Sequence, residues 1–216
     1  MLIIVLVFSF FLVSEHLNKG KSIDGILSKR AEISSVKYDM IIKYDGFSFT
    51  AKVWEKNNKS RIEISSPFET VYIEDRDLGK AYVYYPTLEV AFEASELNIS
   101  EGQIPESATK YIEKMENYDP KVIGTEKIEG KDSIIIEYVA EGMETKIWIW
   151  KDKGFPLRIE SINPETGGKA IIEFKNIEFV DIPDTMFEIP EEAREKIEEI
   201  QKTYQEFLKG IGTINE

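Results

Sequence analysis

The sequence has no cysteine and a single histidine, His16, among its 216 residues. A thiol nucleophile, a disulfide framework, a Cys/His zinc site and a histidine-based triad all lack their parts. Carboxylates, hydroxyls and lysines are what remains for chemistry, and no cysteine is available for lipid modification. Redox compartment stays open, because a chain without cysteine is at home on either side of a membrane. Positive charge is also in deficit: 27 Lys and Arg stand against 40 Asp and Glu, a formal net charge of −13. A nucleic-acid backbone or an anionic membrane surface would repel the molecule as a whole. Glutamine occurs three times, and isoleucine outnumbers leucine 31 to 10. That bias, with abundant Glu and Lys, is a thermophile pattern. A hydrophobic content of 42% is ample for one sizeable core with a terminal appendage.

Long apolar runs are missing except at the start. Leu2 to Val13 is a stretch of twelve residues interrupted only by Ser9. A full bilayer span needs about 20 such residues, whereas a secretory signal has an apolar stretch of roughly 7–15. No basic residue precedes the run, and Leu12 is not the small residue of an A-x-A-like cleavage site. Residues 1–14 are therefore expected to be a signal peptide or an N-terminal membrane anchor, with a buried core strand as the alternative. Export across the cytoplasmic membrane follows, with the product secreted or membrane-anchored. His16 reads as a solvated residue beside that membrane rather than a ligand.

From Val36 the apolar period becomes two. Val36, Tyr38, Met40, Ile42 and Tyr44 alternate with mostly polar neighbours, Asp45-Gly46 supplies a two-residue turn, and Phe47, Phe49, Ala51 and Val53 continue the pattern. Strands follow around 61–64, 70–74, 80–85 and 89–92, with Pro67, Asp75 to Gly79 and Pro86-Thr87 between them. A polar stretch from Ser95 to Glu106 breaks the series. A second set then runs over 121–128, 133–140, 144–150, 157–162 and 170–179, making about eleven strands with short turns. So long an antiparallel meander is expected to curl into a bent sheet or open barrel. Helical spacing marks Ser22 to Ile33, a short helix from Ser107 to about Tyr118 with Ser107 as cap, and a C-terminal amphipathic helix over 191–216. That last segment holds seven acidic and four basic residues, which suits a protein partner better than an anionic membrane.

Particular stretches sharpen this reading. R-I-E-I-S-S-P-F-E-T-V-Y-I-E-D (Arg61 to Asp75) is followed by A-Y-V-Y-Y-P (Ala81 to Pro86). Later come V-I-G-T-E-K-I-E-G-K-D (Val122 to Asp132), K-I-W-I-W-K-D-K-G-F-P-L-R-I-E (Lys146 to Glu160) and D-I-P-D-T-M-F-E-I-P (Asp181 to Pro190). In order and spacing these resemble the LolA-like superfamily of extracytoplasmic lipoprotein carriers and the related RseB-like regulators, over residues 20–190. The resemblance implies an α+β fold: a strongly curved, open antiparallel half-barrel of about eleven strands, with helices over a concave apolar face that holds acyl chains. Residues placed to line that face are Tyr38, Met40, Ile42, Phe47, Phe49, Val53, Ile62, Ile64, Val83 and Tyr85, joined among the aromatics by Tyr44 and Phe92. Ordinary core packing would produce the same alternation. Arg61 falls where carriers have an arginine that holds a lid or meets a head group; its other reading is an outward strand cation paired across the sheet.

Other candidates read plainly. Asp75, Asp77 and Gly79 miss the spacing of a calcium loop and predict a turn. Trp148 and Trp150 share one side of a strand whose other side carries Ile147 and Ile149, so burial of both faces, one beneath a helix, is expected. A carboxylate pair is the remaining hydrolytic option, yet the acids fall in turns and on polar strand faces, as a solvated surface gives. The expectation is a non-catalytic, extracytoplasmic binding protein for a lipid or lipidated protein, without cofactor or metal. The alternative is an RseB-like sensor or protein-interaction domain with no transported cargo.

Overall fold

Period-two alternation and X-Gly turns account for the architecture in this computed structural model, which describes residues 23–95, 105–193 and 196. The strands are β1 (Ser35–Tyr44), β2 (Phe47–Lys56), β3 (Lys59–Ile64), β4 (Thr70–Asp75), β5 (Lys80–Tyr85), β6 (Val90–Glu93), β7 (Lys121–Ile128), β8 (Lys131–Ala140), β9 (Met143–Trp150), β10 (Phe155–Ile162) and β11 (Lys169–Glu178). They form one antiparallel sheet in the order β6-β5-β4-β3-β2-β1-β11-β10-β9-β8-β7, so β6 and β7 are its edges and it does not close. Two local meanders are joined where β11 returns beside β1. The open, eleven-stranded α+β fold expected from the sequence is the one found.

Three hairpins turn on Asp45-Gly46, Glu129-Gly130 and Glu141-Gly142, with positive φ at both residues of each pair. This is the turn whose twist matches that of the flanking strands, and glycine at the second position removes the left-handed penalty there.

The chain divides into two compact units. Among the described residues, the first comprises 23–34, 40–49 and 108–177. Its core is built from the alternating isoleucines: Ile134 and Ile136 of β8, Ile147 and Ile149 of β9, Ile159 of β10, and Ile172 with Phe174 of β11 are all buried. The first helix, α1, is described from residue 23; residues 23–27 are α-helical and Ser28–Glu32 tighten to a 3-10 turn, where the sequence pattern implied a regular helix. Helix α2 (Ala108–Glu116) buries Ala108, Ile112 and Met115 and packs on β10. Lys29 Nζ donates to the Lys151 carbonyl (2.7 Å) and Arg30 Nη1 to that of Thr109 (3.0 Å). These bonds tie α1 to the β9–β10 turn and to α2.

The opposite side of this part of the sheet departs from expectation. Trp148 is buried beneath the Arg158 guanidinium, which lies 5.3 Å from its ring centroid, and its Nε1 donates to Glu126 Oε2 (2.6 Å). Trp150 is half-buried, with Lys131 Nζ 5.4 Å from its ring. Among the described residues a cation from a neighbouring strand lies over each indole, an arrangement favoured by the ring quadrupole.

The second unit comprises 35–39, 50–95, 105–107 and the described residues from 178 onward. Here β2 to β6 present two faces fixed by register. Ala51 pairs with Ile64, Val53 with Ile62, Ile62 with Tyr72, Tyr72 with Val83 and Val83 with Phe92, so these share one side, the Val53 face. Trp54, Arg61, Ile73, Tyr82 and Glu93 share the other, the Val71 face. Ile182, Phe187, Ile189 and Ala193 from the chain after β11 pack on Val71, Ile73 and Ala91 of that second face. Residues 191–193 are helical, as is 196. The rest of the expected C-terminal helix, residues 1–14 with the Leu2–Val13 run, and His16 lie outside the described residues. Among the described residues no helix is long and apolar enough to cross a membrane.

Candidate ligand-binding face

The Val53 face is where most of the expected lining residues meet. Val53 and Val83 are fully buried and Ile62 nearly so, while Ile64, Tyr72, Tyr85 and Phe92 remain half-buried. Strand alternation produces this composition: the positions in register with Val53 on five paired strands are mostly apolar or aromatic, with Glu55, Ser60, Thr70 and Glu74 among them. Tyr38 joins the same face: its hydroxyl donates to Glu55 Oε1 (2.6 Å), and both side chains are buried. A carboxylate in an apolar setting is costly unless it is hydrogen-bonded, and the tyrosine supplies such a bond. Burial, with the neighbouring Tyr85 a smaller influence, holds the Tyr72 hydroxyl above its ordinary value of 10.0. The face thus offers apolar area and few polar groups, which is how sites for small apolar ligands are lined.

Six of the expected lining residues, Tyr38, Val53, Ile62, Ile64, Val83 and Tyr85, therefore fall together in the second unit. The other four belong to the first. Met40 is fully buried and Ile42 half-buried, but Phe47 and Phe49 are exposed at the tip of the β1–β2 hairpin, Phe47 at 78%. Tyr72 and Phe92 complete the face. Phe92 is visible in the sequence as an aromatic; Tyr72 escapes notice because Val71 and Ile73 beside it make the strand apolar on both sides.

Arg61 points to the Val71 face. Its Nε donates to Glu63 Oε1 (2.7 Å), two residues along the same strand, and its Nη1 to the Met186 carbonyl (3.2 Å). Glu63 is within reach because residues two apart on a strand share a face, and Met186 belongs to the segment that packs on that face. Arg61 floors an open recess of about 470 Å³ lined by Thr185, Met186, Glu188, Ile189, Pro190 and Glu191. Toward the start of the same covering segment, Lys56 Nζ donates to the Ile182 carbonyl (2.7 Å) and pairs with Asp184 (3.1 Å). Both cations clamp the D-I-P-D-T-M-F-E-I-P segment onto the sheet.

Asp75 serves the β4–β5 turn: its Oδ1 accepts from the amides of Asp77 (3.1 Å) and Leu78 (3.2 Å). Among the described residues no group of three or more potential metal ligands is found.

No family model matches the sequence, and no curated protein does. Solved structures do. An uncharacterised conserved protein from Thermus thermophilus aligns with TM-score 0.58 at 10% identity, over 81% of this chain and 95% of that one. MucB in the Pseudomonas aeruginosa MucA/MucB complex aligns with TM-score 0.54 at 13% identity, over 80% of this chain and 62% of that one. A further MucB structure gives 0.55 at 9% identity, over 82% and 64%, so this chain spans less than two thirds of MucB. At these identities the likeness is one of fold: this chain shares its fold with MucB and with the Thermus protein.

Proposed function

We propose that this chain is an extracytoplasmic, non-catalytic binding protein that holds the acyl part of a lipid or lipidated protein against the Val53 face. The observation that carries the reading is the composition of that face: aliphatic side chains buried at its centre and half-buried Ile64, Tyr72, Tyr85 and Phe92 around them. Each methylene moved from water onto such a surface is worth about 0.8 kcal/mol. An acyl chain of about a dozen carbons therefore gains enough to bind without a charged anchor. Arg61 plays no part in head-group recognition under this reading, since it lies on the opposite face and holds the covering segment. Leu2–Val13 directs export, as a signal peptide or as a membrane anchor. Organic extraction of protein purified without detergent, followed by mass spectrometry, tests the proposal. One acyl lipid per chain supports it; protein that is lipid-free and takes up no added fatty acid rules it out.

A second reading has its own support in MucB, which shares the fold and is solved in complex with MucA. An interaction domain would use the segment beyond Lys196 to hold a protein partner. Lys196 itself reaches the Leu88 carbonyl (2.9 Å), and Ala193 is fully buried. Truncation after Lys196 should then abolish capture of that partner from membrane extracts and leave the melting temperature unchanged. Unaltered capture would exclude this role for the segment.

A further inference from the structure

We propose that the tip of the β1–β2 hairpin docks on a neutral lipid bilayer. Three aromatic side chains are exposed within six residues there: Tyr44 at 58%, Phe47 at 78% and Phe49 at 37%. The two-residue Asp45-Gly46 turn sets Tyr44 directly opposite Phe47, so both project from the same side of the ribbon, with Phe49 one step behind. Along β2 that side grades from exposed Phe47 and Phe49 to fully buried Ala51 and Val53.

Size and charge select the occupant. The exposed parts of the three rings amount to about 350 Å², well below the roughly 800 Å² per partner of a stable protein interface. A protruding tip of that size suits the membrane interface, where aromatic rings sit at head-group level. Lys43, beside Tyr44 in the sequence, is already paired with Glu173 (2.6 Å), and the chain carries −13 overall. Neither feature attracts anionic lipid, so the surface is zwitterionic. The inference goes beyond the acyl-binding reading, which requires a ligand but no docking surface.

With no cysteine in the chain, Ser48→Cys gives a single attachment point for an environment-sensitive fluorophore at the tip. The full chain so labelled is mixed with phosphatidylcholine vesicles. The expected result is a blue shift and a several-fold rise in emission, unchanged in about 0.5 M salt. Adding Phe47→Ser and Phe49→Ser should remove most of the rise while the protein still sediments with vesicles through its N-terminal run. Phe47→Ser alone decides the matter if the double variant fails to fold. An unmoved probe overturns the proposal, as does a rise that survives both serines. A rise that needs protein concentration but no vesicles would assign the tip to a second copy and equally overturn it. Bound lipid found beside an unmoved probe would leave the acyl-binding reading standing and refute only the docking.

Discussion

Gly154 is where the packing of the first unit is most exposed to a single methyl group. Its φ is +64°, and a Cβ built there would lie 2.4 Å from the Ile26 carbonyl oxygen and 3.0 Å from the Arg30 nitrogen. Both are backbone atoms of the α1 segment, which cannot swing aside as a side chain can. Gly130, with φ +79° and no atom within 4 Å of such a Cβ, is the matched control. Either glycine replaced by alanine bears the left-handed cost of about 1–2 kcal/mol. Gly154→Ala must in addition displace residues 26–30. That displacement weakens the bonds from Lys29 to Lys151 and from Arg30 to Thr109 and loosens Ile23, which is 8% exposed. Two partly exposed hydrogen bonds at about 0.5–1 kcal/mol each and part of an isoleucine's ~1.5–3 kcal/mol make the excess about 3 kcal/mol. At roughly 2–4 °C per kcal/mol for a chain of this size, Gly154→Ala should melt roughly 6–12 °C below Gly130→Ala by near-UV circular dichroism. Equal melting temperatures would refute the close approach of α1 to the β9–β10 turn.

Other perturbations test other parts. Lys56→Met removes the bond to the Ile182 carbonyl and the pair with Asp184; limited proteolysis between 179 and 190 should accelerate several-fold, and an unchanged rate would refute the clamp. Glu55→Ala leaves the Tyr38 hydroxyl without its carboxylate and should cost about 1–3 kcal/mol in urea unfolding. In a double-mutant cycle with Tyr38→Phe the two losses should fall short of additive by about 0.5 kcal/mol or more, whereas strict additivity would mean the pair is not coupled. The hydrogen bond from Lys43 holds the Glu173 carboxylate below its ordinary 4.5. A depressed folded-state value contributes stability that is complete above the ordinary value and is lost as pH falls through the folded one. The urea midpoint should therefore drop below about pH 4.5, and Lys43→Met should flatten that part of the profile; parallel profiles for the two proteins would argue against it.

Much of the fold is legible in the sequence because its signals are local. All eleven strands appear within two residues of their places, since alternation and X-Gly turns act over neighbouring positions. The return of β11 to the side of β1 is not legible, for it pairs residues more than a hundred positions apart and leaves no periodic mark. Asp181 to Pro190 stands out as a motif, yet its task of covering Val71 and Ile73 follows no helix or strand period. The candidate face divides in the same way. Parity puts Phe47 and Phe49 on one side of β2 with Val53, but it carries no information on where along a strand the cover ends. The partners of Arg61 are not legible, because an i, i+2 partner is as available in the sequence as a cross-strand one. The face of Trp148 and Trp150 hides the same difficulty, as a cation on the next strand covers an indole as well as a helix does.

The central claim is that the Val53 face takes an acyl chain, and saturable binding of a dansyl-labelled fatty acid to the delipidated full chain tests it most directly. One site per chain with a blue-shifted emission is predicted, weakened at least about tenfold by Phe92→Asp, which places a charge on the half-buried part of that face. Emission that never saturates, or saturable binding indifferent to Phe92→Asp, would contradict it.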